Sequence, residues 1–273
     1  MKQILSILLL VINIQIVISN DYEIMNRMIY FENYIIKGKV KILKEFQHNF
    51  INEFGKVKFN DEKFLSNKAV FDLKGKLIEE TIYISQDNKR YYLVKYSYED
   101  NNGDNQEELI ERTVFNSDGS IYEKYKYKND KIGNIYEILK YSSNSNSPYI
   151  YKNKYNDKNY KIETITIDEQ GRPAYKYDYN YDNSGNMIEG ISYYDSKGVK
   201  IDDKFFFKYD TFGNIIEKIK YDSYEDYYDK EKYKIIYDKK NNIKIKETYK
   251  IYEKYGENVE ELIYYNTYEY EYY

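Results

Sequence analysis

Apolar and polar residues alternate with period two over most of this chain. Tyr175, Tyr177, Tyr179 and Tyr181 fall on one face of a stretch whose other face is Lys176, Asp178 and Asn180. From 243 to 255, Ile243, Ile245, Tyr249, Ile251 and Tyr255 share a face opposite Lys244, Lys246, Lys250 and Lys254. Period two sustained over such lengths is the mark of β-strands, because successive side chains on a strand point to opposite sides. The alternating stretches are punctuated by turn signals. FDLKGKLIEE (71–80), FNSDGSIYEK (115–124), YDNSGNMIEG (181–190), YDSKGVKIDD (194–203) and YDTFGNIIEK (209–218) share one pattern: an aromatic, Asp or Asn, two variable residues, Gly, a polar residue, then apolar residues and an acid. IDEQGRPAYK (167–176) is a degenerate copy, and YDKKNNIKIK (237–246) places Asn241 where Gly would stand. Gly and Asn both tolerate positive φ, so the exchange keeps the turn.

Weaker turn signals between these copies bring the spacing to about 14 residues per strand and turn, as between Gly171, Gly185, Gly198 and Gly213. Gly75, Gly119, Gly133, Gly171, Gly185, Gly198 and Gly213 are the predicted structural turn positions. An Asp at the first position and a Gly at the fourth suit a type I turn followed by a left-handed residue, a short hairpin connection with a bulge. Turns this frequent leave no room for crossover helices, so neighbouring strands must pair antiparallel. The expected fold is all-β: a long up-and-down meander of about fifteen strands over residues 38–273. Twisted sheets seldom exceed about ten strands without curling, so an open, coiled sheet or half-barrel is expected. Residues 20–37 depart from the repeat. Ile24, Met28, Phe31 and Ile35 follow Asp21 at helical spacing, which allows a short helix there.

The first 19 residues, MKQILSILLLVINIQIVIS, join a basic start at Lys2 to an apolar run from Ile4 to Ile18. Val17 and Ser19 stand at a plausible cleavage site before Asn20. That is the layout of a secretory signal peptide, and the run is short of the about 20 residues that span a bilayer. An exported protein is expected, periplasmic, on the cell surface or secreted. It is not a lipoprotein, because the chain has no Cys. No later segment could cross a membrane as a helix.

Composition narrows the chemistry. Lys plus Arg is 42 against 46 for Asp plus Glu, a net charge of −4, which argues against nucleic-acid binding. With one His and no Cys, Cys-based and multi-His metal sites are excluded. The acids Glu99, Asp100, Asp104, Glu107 and Glu108 lack the spacing of a calcium loop. His48 has no nucleophile motif around it and reads as a solvated strand-end residue. No catalytic residue, cofactor or metal is expected, and the protein is read as a non-enzyme. Tyr, at 39 residues against 12 Phe, is the one feature with recognition chemistry. The row Tyr175, Tyr177, Tyr179, Tyr181 is the candidate binding surface, with at least two rings expected to be accessible, for a protein or glycan partner at the cell envelope. Two other functions stay open: a carboxylate-pair hydrolase on a concave sheet face, and a structural or inhibitor-like partner of another exported protein.

The pattern Y-D-x-x-G-N-x-x-E, clearest in YDNSGNMIEG and YDTFGNIIEK, resembles the YD (RHS-type) repeats of bacterial exported and surface proteins. The resemblance covers about 70–270 and is strongest at 167–220. It implies an extracellular β-repeat structure and brings no catalytic residues. MORN-like repeats, also hairpins with Tyr and Gly, are a weaker likeness. Mass spectrometry of the protein from its native host should find an N-terminus at or within a few residues of Asn20. An intact Met1 on a cytosolic species would refute export.

Overall fold

The computed structural model describes residues 36–53, 56–100, 103, 107–143, 145, 147–222 and 228–273. The signal-like segment 1–19 and the helical spacing after Asp21 lie outside the described residues. The strands are β1 (Val40–Glu53), β2 (Lys56–Phe71), β3 (Leu77–Tyr83), β4 (Tyr91–Glu99), β5 (Glu108–Asn116) and β6 (Ile121–Asn129). They continue as β7 (Ile135–Ser142), β8 (Tyr149–Tyr155), β9 (Lys161–Ile167), β10 (Pro173–Tyr181) and β11 (Met187–Tyr193). The last are β12 (Ile201–Tyr209), β13 (Ile215–Tyr221), β14 (Tyr228–Tyr237), β15 (Ile243–Lys254) and β16 (Glu257–Tyr272). Each pairs antiparallel with its neighbours in sequence, and β1 also pairs with β16, so the sheet is a closed barrel. The open half-barrel expected from sequence is therefore corrected. Closure lets the two outermost strands satisfy each other's backbone groups, which an open sheet would leave as edges. The first strand runs on to Glu53, and 56–71 is a full strand paired on both sides.

Odd strands run away from the rim that holds Val40 and Tyr272, and even strands return to it. At this lower rim sit the turns headed by Asp72, Asp130, Asn156, Asp182, Asp210 and Asp238. In the turn at 182–186, the Gly185 N–H donates to the Asp182 carbonyl (3.2 Å) and the Asp182 N–H to the Asn186 carbonyl (2.9 Å). Asp182 Oδ1 accepts from the N–H groups of Ser184 and Asn186, and Asn186 Nδ2 donates to Asp182 Oδ2. The same web surrounds Asp130, and its backbone part recurs at Asp210 and Asp238. The repeat's Asp and Asn are thus the two ends of one hydrogen-bonded loop. The seven turn glycines named above all have φ between 73° and 87°, and Asn241 takes the same conformation at 62°.

The Tyr before the Asp has its own task. Tyr155, Tyr181 and Tyr209, closing β8, β10 and β12, donate their hydroxyls to the carbonyls of Ile135, Lys161 and Met187 at 2.7–2.8 Å. Those residues open the preceding strands, so each Tyr ties its own strand's end to its neighbour's start. The turns at Asp72, Asp130, Asp182 and Asp210 are each followed by a register shift at the second residue of the next strand, the bulge expected of this hairpin.

A single-layer closed sheet covers its inner side most completely, so the most deeply buried strand residues mark the interior. Leu43, Glu45, Ala69, Glu80, Ile82, Val94, Val114, Thr164 and Phe205 are among them. A wide barrel lined by water would leave such positions wet. Here they pack on one another, as in the cluster of Ile82, Val94, Tyr96, Leu109, Val114, Tyr125, Ile138 and Tyr151.

Gly75 and Gly185 separate two costs of a turn substitution. Both have positive φ, but a Cβ at Gly75 meets nothing within 4 Å, whereas at Gly185 it would sit 2.6 Å from the hydroxyl of Tyr160. Tyr160 stacks on Tyr181 at 5.0 Å. Gly75→Ala should cost about 1 kcal/mol for the backbone alone, and Gly185→Ala clearly more. Equal losses in urea unfolding would contradict this packing.

Candidate functional site

The Tyr175–Tyr181 row points into the barrel. Tyr177 and Tyr179 are only 6% and 7% exposed, and Tyr175 and Tyr181 are half-buried. None of the four is an open ring on the surface, which corrects the expected recognition face. The cause lies in pairing. Lys176 and Asp178 between them face outward, where the Lys176 ammonium meets Asp178 (2.9 Å) and Glu163 (3.4 Å). Inside, the Lys161 ammonium lies 4.9 Å from the Tyr179 ring centroid, and Thr164 Oγ1 is 3.4 Å from the Tyr179 hydroxyl. Burial raises the Tyr177, Tyr179 and Tyr181 phenols well above their ordinary value. It lowers Lys161 to about 7, and Lys246 on β15 to about 8.

Three interior acids are engaged by neighbouring side chains. Glu45 takes hydrogen bonds from Asn67 Nδ2 (2.7 Å), Tyr268 Oη (2.9 Å) and Asn266 Nδ2. Glu80 accepts from Tyr96 (3.0 Å), and Glu123 pairs with Lys140 at 2.7 Å. His48 is not at a strand end. It sits within β1, with Nε2 2.8 Å from Thr267 Oγ1 across the closing seam, its pKa lowered by burial and by Lys63. Of the acidic cluster, Asp104 lies outside the described residues, Asp100 accepts from the Gly103 N–H, and Glu107 is bridged to Lys74 and Lys76.

The outer face has a different chemistry. The acid that closes the repeat points outward on the strands leaving the lower rim, as Glu137, Glu163 and Glu217 do. It meets lysines of the returning strands: Lys128–Glu137 at 2.6 Å, Lys208–Glu217 at 2.8 Å, Lys230–Glu217 at 3.2 Å, and Lys154–Glu163. Glu111 and Lys124 add a pair at 2.8 Å. Other lysines lie over outward aromatic rings, Lys95 on Phe115, Lys126 on Tyr141 and Lys176 on Tyr193. This belt of alternating charge was not recognised from the sequence, although the recurring acid was part of the repeat.

A cavity of about 250 Å³ opens at the upper rim between β6, β7 and β8, lined by Tyr122, Glu123, Lys140, Ser142, Ser143, Tyr149 and Glu169. No local motif announces it, because its residues come from three strands and two turns.

No family model matches the chain, and no curated protein matches it. Among solved structures, it is similar to a porin-like protein from Bacteroides uniformis, with a TM-score of 0.55 at 9% identity over 86% of this chain and 98% of that one. A porin-like protein from Bacteroides vulgatus matches at TM-score 0.34 and 10% identity over 86% of this chain and 99% of that one. The TcdB2-TccC3 structure without its hypervariable C-terminal region matches at 0.29 and 12%, over 80% of this chain and 12% of that one. The first of these likenesses is one of fold: a porin-like, all-β barrel.

Between the lowered values of Lys161 and Lys246, about 7 and 8, and the ordinary lysine value near 10.5, the unfolded chain holds more protons than the folded one. Stability must therefore rise with pH through that window. Above about pH 10 the sign reverses, because exposed tyrosines ionise in the unfolded chain while Tyr177 and Tyr179 stay protonated in the barrel. The urea midpoint should climb from pH 7 to about pH 9.5 and drop beyond pH 10.5. A flat or falling midpoint between pH 7 and 9.5 would contradict the burial of these lysines.

Proposed function

We propose that this is an exported, non-catalytic β-repeat barrel that works in water, at the cell envelope or outside the cell, and does not conduct solutes across a membrane. The observation that carries the reading is the charged belt. A membrane barrel presents an apolar outer band about 25 Å tall, and each lysine at its midplane costs about 2–4 kcal/mol. Here Lys128, Lys154 and Lys208, their side chains half to two-thirds exposed, alternate with acids around the outer face. Strand length supports the same conclusion. β3, β8, β9, β11 and β13 have 7 residues each, against about 9–11 for a tilted spanning strand.

Export is supported by the signal-like residues 1–19, and the non-catalytic reading by the buried acids, whose carboxylates are engaged by Asn, Tyr and Lys side chains. The YD-type likeness gains a mechanism from the turns, since both its Tyr and its Asp have hydrogen-bonding tasks there. The accessible interaction surface is then the outer Lys, Glu and aromatic face and the rims, where Tyr136, Tyr149 and Tyr194 are exposed.

The mature protein should stay monodisperse without detergent, remain in the soluble exported fraction, and stay at the bottom when floated with phosphatidylcholine–phosphatidylglycerol vesicles in 0.15 M salt. Flotation that survives 1 M salt, or unitary conductance steps in a planar bilayer, would overturn the reading.

A further inference from the structure

Most of the barrel's interior phenols have a nearby partner: Tyr96 on Glu80, Tyr125 on Glu123, Tyr155 on a carbonyl, Tyr268 on Glu45. The upper-rim cavity breaks this rule. Its floor is the buried Glu123–Lys140 pair, with Tyr125 donating to the second carboxylate oxygen at 2.5 Å. Among the described residues, Lys140 Nζ meets that one carboxylate and the Tyr125 ring, 5.9 Å away at its centroid, although its side chain is only 12% exposed, so two of its three donors remain. The hydroxyls of Ser142, Ser143 and Tyr149 and the carboxylate of Glu169 also line the space and make no hydrogen bond among the described residues. Tyr122 and Tyr149 add two aromatic rings to the wall, Tyr149 exposed.

We propose that this cavity binds a single sugar ring. Unused donors on Lys140, unused acceptors on Glu169 and hydroxyls that can do both call for a ligand dense in groups that donate and accept, which a polyhydroxylated ring supplies. Its C–H faces are the part that tyrosine rings can pack against. At about 250 Å³ the space lies below the roughly 300–1,000 Å³ of drug-sized sites, which fits one ring and excludes a buried chain. The opening at the mouth of a barrel admits either a free monosaccharide or the terminal unit of a glycan. The inference is independent of the aqueous-barrel reading: a barrel that binds no sugar would still stay in solution, and a barrel that floated with vesicles could still bind one.

Saturation-transfer NMR and calorimetry on the whole mature protein test it, using glucose, galactose, mannose, N-acetylglucosamine and their disaccharides, with glycine and glutamate as zwitterionic controls. At least one sugar should saturate with a dissociation constant of about 1 mM or tighter. Tyr149→Ala and Glu169→Gln, both at the rim, should each weaken it about tenfold or more while leaving the melting temperature unchanged. Equal binding of the free sugar and the disaccharide marks a monosaccharide site, and saturation by disaccharides alone marks a glycan end. No saturation by any sugar, transfer untouched by both variants, or tighter binding of glycine or glutamate would overturn the proposal.

Discussion

The barrel depends on one long-range pairing, that of β1 with β16. Every other strand pairing joins neighbours in sequence, whereas this one brings Leu43 against Tyr270 and Glu45 against Tyr268. The entropy lost in closing so long a loop is recovered only when the two strands meet along their length. Glu45 lies at that junction, 1% exposed, held by Asn67 of β2 and by Asn266 and Tyr268 of β16. A buried carboxylate without partners is costly, so these donors make one register of closure far better than its slipped alternatives. Around it Val40, Leu43, Ala69, Phe71, Ile243 and Tyr268 form the apolar cluster of the seam.

Closure also gives one sequence motif two meanings. After a lower-rim turn the acid of the repeat points outward, as Glu137 and Glu217 do; after an upper-rim turn it points inward. Glu123 stands opposite Val114, and Asp203 opposite Ser192, both buried. The outward acids make the ion-paired belt, and the inward ones find Lys140 and Lys220. An exposed pair of this kind contributes little to stability. Strand pairing sets the fold, and the alternation along each strand sets which side chains face out.

The polar interior follows from the same residue choices. Tyrosine can fill the inside of a barrel while carrying a hydroxyl that satisfies a carbonyl or a buried acid, so a lumen lined by Tyr, Thr, Glu and Lys can pack without a purely apolar core. At the upper-rim cavity, polar groups are left facing open space.

The turns, their spacing, the antiparallel meander and the positive φ at Gly185 and Gly213 were legible in the sequence, because each is a local matter of a few residues with strong backbone preferences. The alternation of Tyr175–Tyr181 against Lys176–Asn180 was legible too, but not which face would be inside. Both faces carry groups that can be wet or packed, and the choice was made by the closed barrel, which buries one side of every strand at once. Closure itself, the role of Glu45 and the grouping of Glu123, Lys140, Tyr149 and Glu169 were decided only by tertiary structure. They join residues up to about 230 positions apart, and no period or motif records which distant strand a given strand will meet.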